Sequence, residues 1–270
     1  MAGGLTAVLD LPGNVGSTTV ALLVVAALGA GGVDAVVGGG GLVQLPALLL
    51  GLPAALPAPV LATNKLSSIG GTATATGTYV RRVRPDLATA APMAASALVG
   101  AMAGALCAAA LPQRVFRPLV LVLLVLVALY TWRRPELGRV NAPHPDRGRH
   151  RLVAVVAGVG IGFYDGIFGP GTGSFLVFVL VGMLGYGFLE ASAIAKITNL
   201  ATNAGALAVF IPRGAPLWQL GLLMAAANVA GGYVGARTAA ARGSGFVRAV
   251  FLVVVAVLVV RLGWDVAHGS

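Results

Sequence analysis

Long apolar runs, separated by short polar or glycine-rich connections, make up most of this chain. Ten such runs can be marked, at Ser17–Val37, Leu42–Leu52, Ala58–Val80, Leu87–Leu111, Val115–Trp132, Leu152–Phe168, Ser174–Gly187, Phe188–Ile211, Leu217–Ala241 and Phe246–Trp264. A helix needs about 20 apolar residues to cross a bilayer, and eight of the ten runs approach that length. The pattern predicts an all-α, polytopic membrane helix bundle with about 8–10 transmembrane segments.

Two runs, Leu42–Leu52 and Ser174–Gly187, are too short to cross a bilayer, and each follows a glycine-rich break. Backbone that leaves a helix at membrane depth must have its polar groups satisfied by protein or water. The two short runs are therefore predicted to be short or re-entrant helices beside an internal cavity.

The composition agrees with a membrane protein. Of the 270 residues, 58% are hydrophobic and 10% are charged, whereas soluble domains carry about 25% charged residues. The net charge of +10 comes from arginines in the connections between apolar runs, where they orient the protein and contact anionic lipid head groups. We therefore expect the lipid bilayer to be a partner and nucleic acid not to be one.

The sequence has two matching halves. The only two lysines, Lys65 and Lys196, differ in number by 131, and so do Asp34 and Asp165. Many glycines coincide under the same shift. This register predicts one transmembrane transport domain over residues 1–270, with repeat one at 17–132, a cytoplasmic connection at 133–151 and repeat two at 152–264.

Basic residues in short loops predict the orientation, because they favour the cytoplasmic side. Three arginines lie at positions 81–84, and six lie in the stretch Arg133–Arg151. The loop of the second half that matches positions 81–84 keeps only Arg213. The reversed bias predicts two inverted repeats with both chain termini outside.

The glycine breaks are candidate anion sites. In each half an aspartate, Asp34 or Asp165, precedes a glycine run that leads into a short helix. A helix N-terminus offers free N–H groups and a favourable dipole to an anion. The alternative is close helix packing through small residues. The candidate substrate-binding residues here are Gly38, Gly39, Gly40, Gly41, Gly169, Gly171, Thr172 and Gly173.

The two lysines lie within apolar runs, where a charge costs about 2.5–3.5 kcal/mol on insertion scales. On a helix, Lys65 shares a face with Ser68, and Lys196 shares one with Asn199 and Asn203. A cation among hydroxyl and amide donors suits a small anion. The further substrate-binding candidates are Asn64, Lys65, Ser68, Lys196, Asn199 and Asn203.

Other roles of the lysines remain open. Each lysine can neutralise Asp34 or Asp165 in a buried structural pair, or extend to the membrane interface. In a mixed arrangement, the aspartates serve as proton carriers. Asp34 and Asp165 are therefore proton-coupling candidates.

Several of these segments resemble the sulfite exporter TauE/SafE family of membrane permeases. They are Gly38–Gly41 with the following Leu-Val-Gln-Leu-Pro46, Ala62–Leu66, Gly162–Gly173 and Ala195–Asn199. The resemblance covers nearly the whole chain. It implies transport of sulfite, organosulfonates or related small oxyanions across the bacterial inner membrane, without ATP.

Together, these features predict a secondary transporter or exporter of small anions, with the substrate bound between the repeats and with protons as a candidate coupling ion. The histidines lack metal-ligand spacing, and no nucleophile–base pair or phosphate-binding loop is visible. We therefore expect no enzyme activity, cofactor or metal. The alternatives are a membrane scaffold that transports nothing and, less favoured, an intramembrane enzyme.

Overall fold

The computed structural model describes residues 15–109 and 147–268. The helices in these ranges are α1 (Ser17–Val37), α2 (Gly41–Gly51), α3 (Pro57–Val83), α4 (Leu87–Ala109), α5 (Arg147–Ile167), α6 (Thr172–Gly182), α7 (Phe188–Phe210) and α8 (Trp218–His268). The predicted all-helical fold is confirmed. The run Val115–Trp132 and most of the stretch Arg133–Arg151 lie outside the described residues.

Helix lengths follow the hydrophobic pattern. Four described segments, Ser17–Val37, Leu87–Ala108, His150–Ile167 and Phe188–Arg213, are long and apolar enough to cross a membrane. The predicted short helices α2 and α6 have 11 residues each. The two last apolar runs are joined in α8, which is interrupted at Gly243 by a non-helical φ of 74°.

The outer surface of the bundle is apolar. Leu50 is 75% exposed and Leu22 is 65% exposed, and other large aliphatic side chains also face outward. A water-soluble protein rarely leaves so many large apolar side chains uncovered. The surface is therefore suited to contact with lipid tails.

The two halves interlock through their outer helices. Helix α1 packs along the first part of α8, and α4 packs along α5, so that each half is completed by a helix of the other. Glycines allow the backbones to approach closely. The contacts are Gly31 with Asn228, Gly231 with Leu28 and Gly235 with Gly32 between α1 and α8, and Gly162 with Ala97, Gly100 with Val159 and Gly104 with Phe163 between α5 and α4.

These two sets of glycine contacts use the same pairs of positions after the shift of 131 residues, since Gly31 becomes Gly162 and Asn228 becomes Ala97. The duplication in the sequence thus extends to the packing. The orientation of each half across the membrane stays a prediction.

Several polar residues of the apolar runs lie inside the bundle. Helices α3 and α7 contact each other at its centre, and α3 also packs on α8 while α7 packs on α4. Lys65, Asn64 and Thr72 of α3 are buried, as are Lys196 and Asn203 of α7. The centre of the bundle therefore contains charged and amide side chains that could bind a ligand.

A polar cluster fixes one end of the bundle. Asp86 precedes α4, and its Oδ2 accepts hydrogen bonds from Tyr186 Oη at 2.6 Å and Thr89 Oγ1 at 3.1 Å. The N–H of Ala88 donates to Asp86 Oδ1 at 2.9 Å. Partial burial raises the pKa of Asp86, but these hydrogen bonds outweigh it and leave the pKa below its ordinary value. The cluster therefore stabilises the charged carboxylate.

Replacement of Tyr186 by phenylalanine should lower the free energy of unfolding at neutral pH, and the loss should become smaller at low pH. A hydrogen bond to a charged group contributes about 1.5–3 kcal/mol, and partial exposure of Asp86 favours the lower end. Because the folded pKa is lowered, this stabilisation is present above the unfolded carboxyl pKa and is lost as pH falls through the folded pKa. Unfolding of the purified chain in detergent, at neutral pH and at a pH well below the ordinary aspartate pKa of about 3.9, measures it.

Tyr233→Phe is the control for that experiment, because Tyr233 Oη accepts a hydrogen bond from Arg237 at an exposed site. We expect it to change stability little at either pH. A Tyr186→Phe penalty that stays constant with pH would show that the Asp86 carboxylate does not receive this hydrogen bond.

Candidate functional site

Two ion pairs lie at the centre of the bundle. Lys65 Nζ is 2.6 Å from Asp165 Oδ2, and Lys196 Nζ is 2.8 Å from Asp34 Oδ2. Each pair joins the lysine of one half to the aspartate of the other. The pairing of lysines with aspartates, one of the roles left open by the sequence, is therefore present in the structure.

The two pairs differ in how completely protein encloses them. The side chains of Lys65 and Asp165 are 3% and 2% exposed, whereas those of Lys196 and Asp34 are 1% and 14% exposed. The Asp34 carboxylate is thus less enclosed by protein than the Asp165 carboxylate.

The helix ends beside the glycine breaks explain why the aspartates need lysines. Asp34 lies in the last turn of α1, and its backbone oxygen accepts the N–H of Gly38 at 2.8 Å, where the chain turns with a φ of 75°. Asp165 lies in the last turn of α5, ahead of Gly169 with a φ of 90°. A negative charge at a helix C-terminus opposes the helix dipole. The lysines offset both this repulsion and the cost of burial.

The two glycine breaks touch each other through their backbones. A Cβ added to Gly38 would overlap the backbone of Gly173, and a Cβ added to Gly173 would overlap that of Gly38. A Cβ on Gly40 would lie 2.5 Å from Cβ of Asp34. Close packing, the alternative to anion binding, is therefore what these three glycines provide. Anion binding by the breaks stays a prediction.

Some donors of the first break are already used within the chain. The N–H of Leu42 donates to the Gly39 oxygen at 3.0 Å, and that of Val43 donates to the Gly40 oxygen at 3.0 Å. At the second break, the N–H of Thr172 reaches the Gly169 oxygen only at 3.4 Å, and that of Phe175 donates to the Gly171 oxygen at 3.1 Å. The start of α6 is therefore less satisfied by its own backbone than the start of α2.

Polar side chains surround both ion pairs. Thr172 Oγ1 is 2.6 Å from Asp165 Oδ1 and 2.8 Å from the Gly169 oxygen, so its hydroxyl can donate to either. A Cβ on Gly169 would lie 3.1 Å from Lys65 Nζ. The first pair thus lies directly beside the second glycine break.

The second pair extends to the contact between α3 and α7. Thr72 Oγ1 is 3.5 Å from Asp34 Oδ2, and Asn203 Nδ2 is 3.5 Å from Thr72 Oγ1. Thr72 and Asn203 also differ in number by 131. Equivalent positions of the two halves therefore meet beside the ion pair.

A further polar cluster joins Gln44 of α2, Asn64 of α3 and Asn228 of α8. Gln44 Nε2 donates to the Asn64 backbone oxygen at 3.2 Å, and Asn228 Nδ2 donates to Gln44 Oε1 at 2.9 Å. Asn64 Oδ1 and Ser67 Oγ are buried and have no hydrogen-bond partner among the described residues. Since buried polar atoms are normally paired, these two are available to water or a ligand.

The structure brings some predicted site residues together and places others apart. Lys65, Lys196, Asp34, Asp165 and the glycine breaks form one region, which Thr172 and Asn203 join. Ser68 is half-buried, and Asn199 Oδ1 accepts a hydrogen bond from Thr202 on its own helix at 3.2 Å. For Ser68 and Asn199, a role at the site stays a prediction.

Three residues of this region were missed from the sequence, namely Thr72, Ser67 and Asn228. The repeat register contained a signal for two of them, because Thr72 aligns with Asn203 and Ser67 aligns with Thr198. Asn228 had no such signal, since its equivalent is Ala97.

An apolar outer surface around buried ion pairs and broken helices defines a multi-pass membrane protein with an internal polar site. Such sites at broken helices are characteristic of membrane transporters. The model of the sulfite exporter TauE/SafE family matches residues 23–262. The chain therefore belongs to the TauE/SafE family of membrane transporters.

Curated relatives agree with this assignment. The chain is 39% identical over 249 residues to the probable membrane transporter protein ORF9 of Sinorhizobium sp, covering 92% of this chain and 94% of the relative. It is 35% identical over 244 residues to the probable membrane transporter protein YfcA of Escherichia coli K12, covering 89% and 88%. A probable membrane transporter protein of Haemophilus influenzae is 30% identical over 253 residues, covering 93% and 97%. No solved structure gives a significant match.

Proposed function

We propose that this protein is a secondary transporter of small oxyanions, such as sulfite or organosulfonates, across the bacterial inner membrane. The observation that carries the proposal is the pair of crossed ion pairs, Lys65–Asp165 and Lys196–Asp34. They place two cations at the centre of an apolar bundle, directly beside two broken helices. Family membership supports the substrate class, since the family description names sulfite export.

In our proposal, the substrate anion competes with an aspartate for a lysine. An anion beside the Lys65 ammonium would face the Asp165 carboxylate, and two negative charges at one buried site repel strongly. A proton on the aspartate removes this repulsion and frees the lysine for the anion. Binding of the anion and binding of a proton are then linked.

Asp34 is the better placed of the two proton carriers. Its side chain is 14% exposed, against 2% for Asp165. Protons reach a carboxylate through water, so Asp34 exchanges them more readily in this conformation. Asp165 becomes the exchanging residue when the opposite side of the bundle opens.

Neutral donors near the lysines complete the proposed anion site. Ser67 Oγ has no partner among the described residues, and the Asn64 side chain, with an unpaired oxygen, lies one turn away on the same helix. An amide can present either its nitrogen or its oxygen to a ligand. These groups and the start of α6 offer neutral hydrogen-bond donors to sulfonate or sulfite oxygens.

The crossed pairs also provide a means of alternating access. Because each pair joins the two halves, movement of one half against the other must break or rearrange both pairs. Anion and proton binding weaken the pairs and thereby permit that movement. An unloaded protein, with both pairs intact, stays closed.

Flux into proteoliposomes tests the proposal, with methanesulfonate as the substrate and a pH-sensitive dye in the lumen. Methanesulfonate stays ionised at every pH used, so that proton movement reports coupling by the protein. We expect methanesulfonate uptake above that of protein-free liposomes, accompanied by a change in lumenal pH. Sulfite and sulfate as competitors define the substrate range.

The outcomes separate the parts of the proposal. Flux without lumenal pH change would remove protons as the coupling ion and leave anion transport standing. No flux of any oxyanion, from protein that elutes as a folded species, would favour the scaffold alternative.

A further inference from the structure

A basic groove lies between α3 and the first part of α8, and no residue of the two ion pairs lines it. It has a volume of about 410 Å³. Its lining includes Gly77, Thr78, Arg81, Arg82, Tyr233 and Arg237. We call this feature the arginine groove.

The directions of the two helices explain why the arginines gather. Gly70 of α3 packs against Ala225 and Val229 of α8, and later residues of both helices line the groove. Residue numbers therefore rise together, and the two helices run parallel. Arg81 and Arg82 in the last turn of α3 thus come to the same end of the bundle as Arg237 of α8.

Arg237 is held in a fixed position. Its Nη1 donates to Tyr233 Oη at 2.8 Å, and its guanidinium carbon lies 5.9 Å from the centre of the Tyr233 ring. None of the three arginines forms an ion pair with a carboxylate in the part of the chain that the structure describes. The groove therefore retains a local positive charge.

The surroundings of the groove are apolar and exposed. Val80 of α3 and Val229 and Val234 of α8 all face outward. A ligand that binds here meets arginines at one end and aliphatic side chains toward the membrane. Guanidinium groups bind phosphate through paired hydrogen bonds, so an anionic phosphate attached to an apolar tail matches both parts.

The other half of the protein keeps only one of the three groove arginines. Under the shift of 131 residues, Tyr233 corresponds to Met102, Arg237 to Leu106 and Arg81 to Pro212, whereas Arg82 keeps its equivalent in Arg213. Each ion pair takes one residue from each half, whereas the arginine groove belongs to one end only. None of the four ion-pair residues lines the groove, which is therefore separate from the proposed transport site.

We propose that the arginine groove binds the phosphate head group of an anionic phospholipid from the leaflet at the C-terminal end of α3. Arg82 and Arg237 hold the phosphate, and the small residue Gly77 leaves the space for it. No side chain or backbone atom lies within 4 Å of a Cβ added to Gly77. The lipid joins α3, which carries Lys65, to the first part of α8.

Native mass spectrometry of the full chain with dioleoylphosphatidylglycerol or dioleoylphosphatidylcholine tests the proposal. We expect preferential retention of phosphatidylglycerol, weakened roughly tenfold or more in an Arg82→Gln/Arg237→Gln double variant. Gly77→Leu fills the groove without removing charge and should weaken retention similarly. Arg213→Gln removes one arginine from the equivalent end of the other half and should leave retention unchanged.

Three results would overturn the proposal. One is equal retention of the two lipids by the wild type. Another is an equal loss in Arg213→Gln and the groove variants, which would indicate general attraction to basic residues. The third is displacement of phosphatidylglycerol by inorganic phosphate at similar concentrations, which would make the groove a site for free anions.

Discussion

Replacement of Lys65 by methionine is expected to destabilise the folded protein by about 3–5 kcal/mol, because it leaves the Asp165 carboxylate buried without a partner. Asp165 is 2% exposed, so water cannot replace the lysine. Lys196→Met should cost less, because Asp34 is 14% exposed and can be hydrated in part. Thermal unfolding of the purified variants in detergent measures both effects.

Double variants identify the partner. Lys65→Met with Asp165→Asn removes the uncompensated charge and should recover most of the lost stability. Lys65→Met with Asp34→Asn is the mismatched control, and it leaves Asp165 and Lys196 both without partners. Equal recovery in the two double variants would contradict the crossed pairing.

The matched double variant also tests the anion site. If Lys65 binds the substrate, the recovered protein should still lack methanesulfonate flux, because its cation is gone. Full recovery of stability and flux would show that Lys65 serves only to neutralise Asp165.

Gly173→Ala is expected to push the two glycine breaks apart and thereby to abolish transport. Its Cβ would overlap the backbone of Gly38, and backbone yields far less easily than a side chain. Overpacking of this kind costs about 1–3 kcal/mol. Unfolding in detergent and flux in proteoliposomes are the two measurements.

Gly160→Ala provides a matched control. Gly160 is also a helical glycine, but nothing lies within 4 Å of a Cβ added there. Alanine at such a position stabilises a helix by about 0.5–1 kcal/mol. A similar loss of stability in both variants would mean that the Gly38–Gly173 contact is not the cause.

The sequence predicted the helices well, because a bilayer demands long uninterrupted apolar runs. The bounds of α1 were predicted as Ser17–Val37 and are observed there. The short helices α2 and α6 were also predicted, from the glycine breaks before them. The four-residue interruption between Ala241 and Phe246 was less well interpreted, since helix continues on both sides of a single non-helical residue, Gly243.

For the candidate site, the sequence predicted which residues take part but not how they pair. Spacing along a helix places Lys65 and Ser68 on one face, but it cannot choose between Asp34 and Asp165 as the partner of Lys65. That choice depends on how the halves pack. The contact of Gly38 with Gly173 is likewise invisible in sequence, because both residues fit an anion-binding break and a packing surface equally well.

The crossing of the ion pairs has a consequence for how the protein is made. Asp165 emerges from the ribosome 100 residues after Lys65, the difference between their numbers. At about 5–20 residues per second, this delay is roughly 5–20 seconds. During it, the newly inserted first half holds Asp34 on α1 and Lys65 on α3 as opposite charges that are not partners in the finished protein. Biogenesis must therefore keep these two residues hydrated or temporarily associated, and then exchange them as the second half arrives.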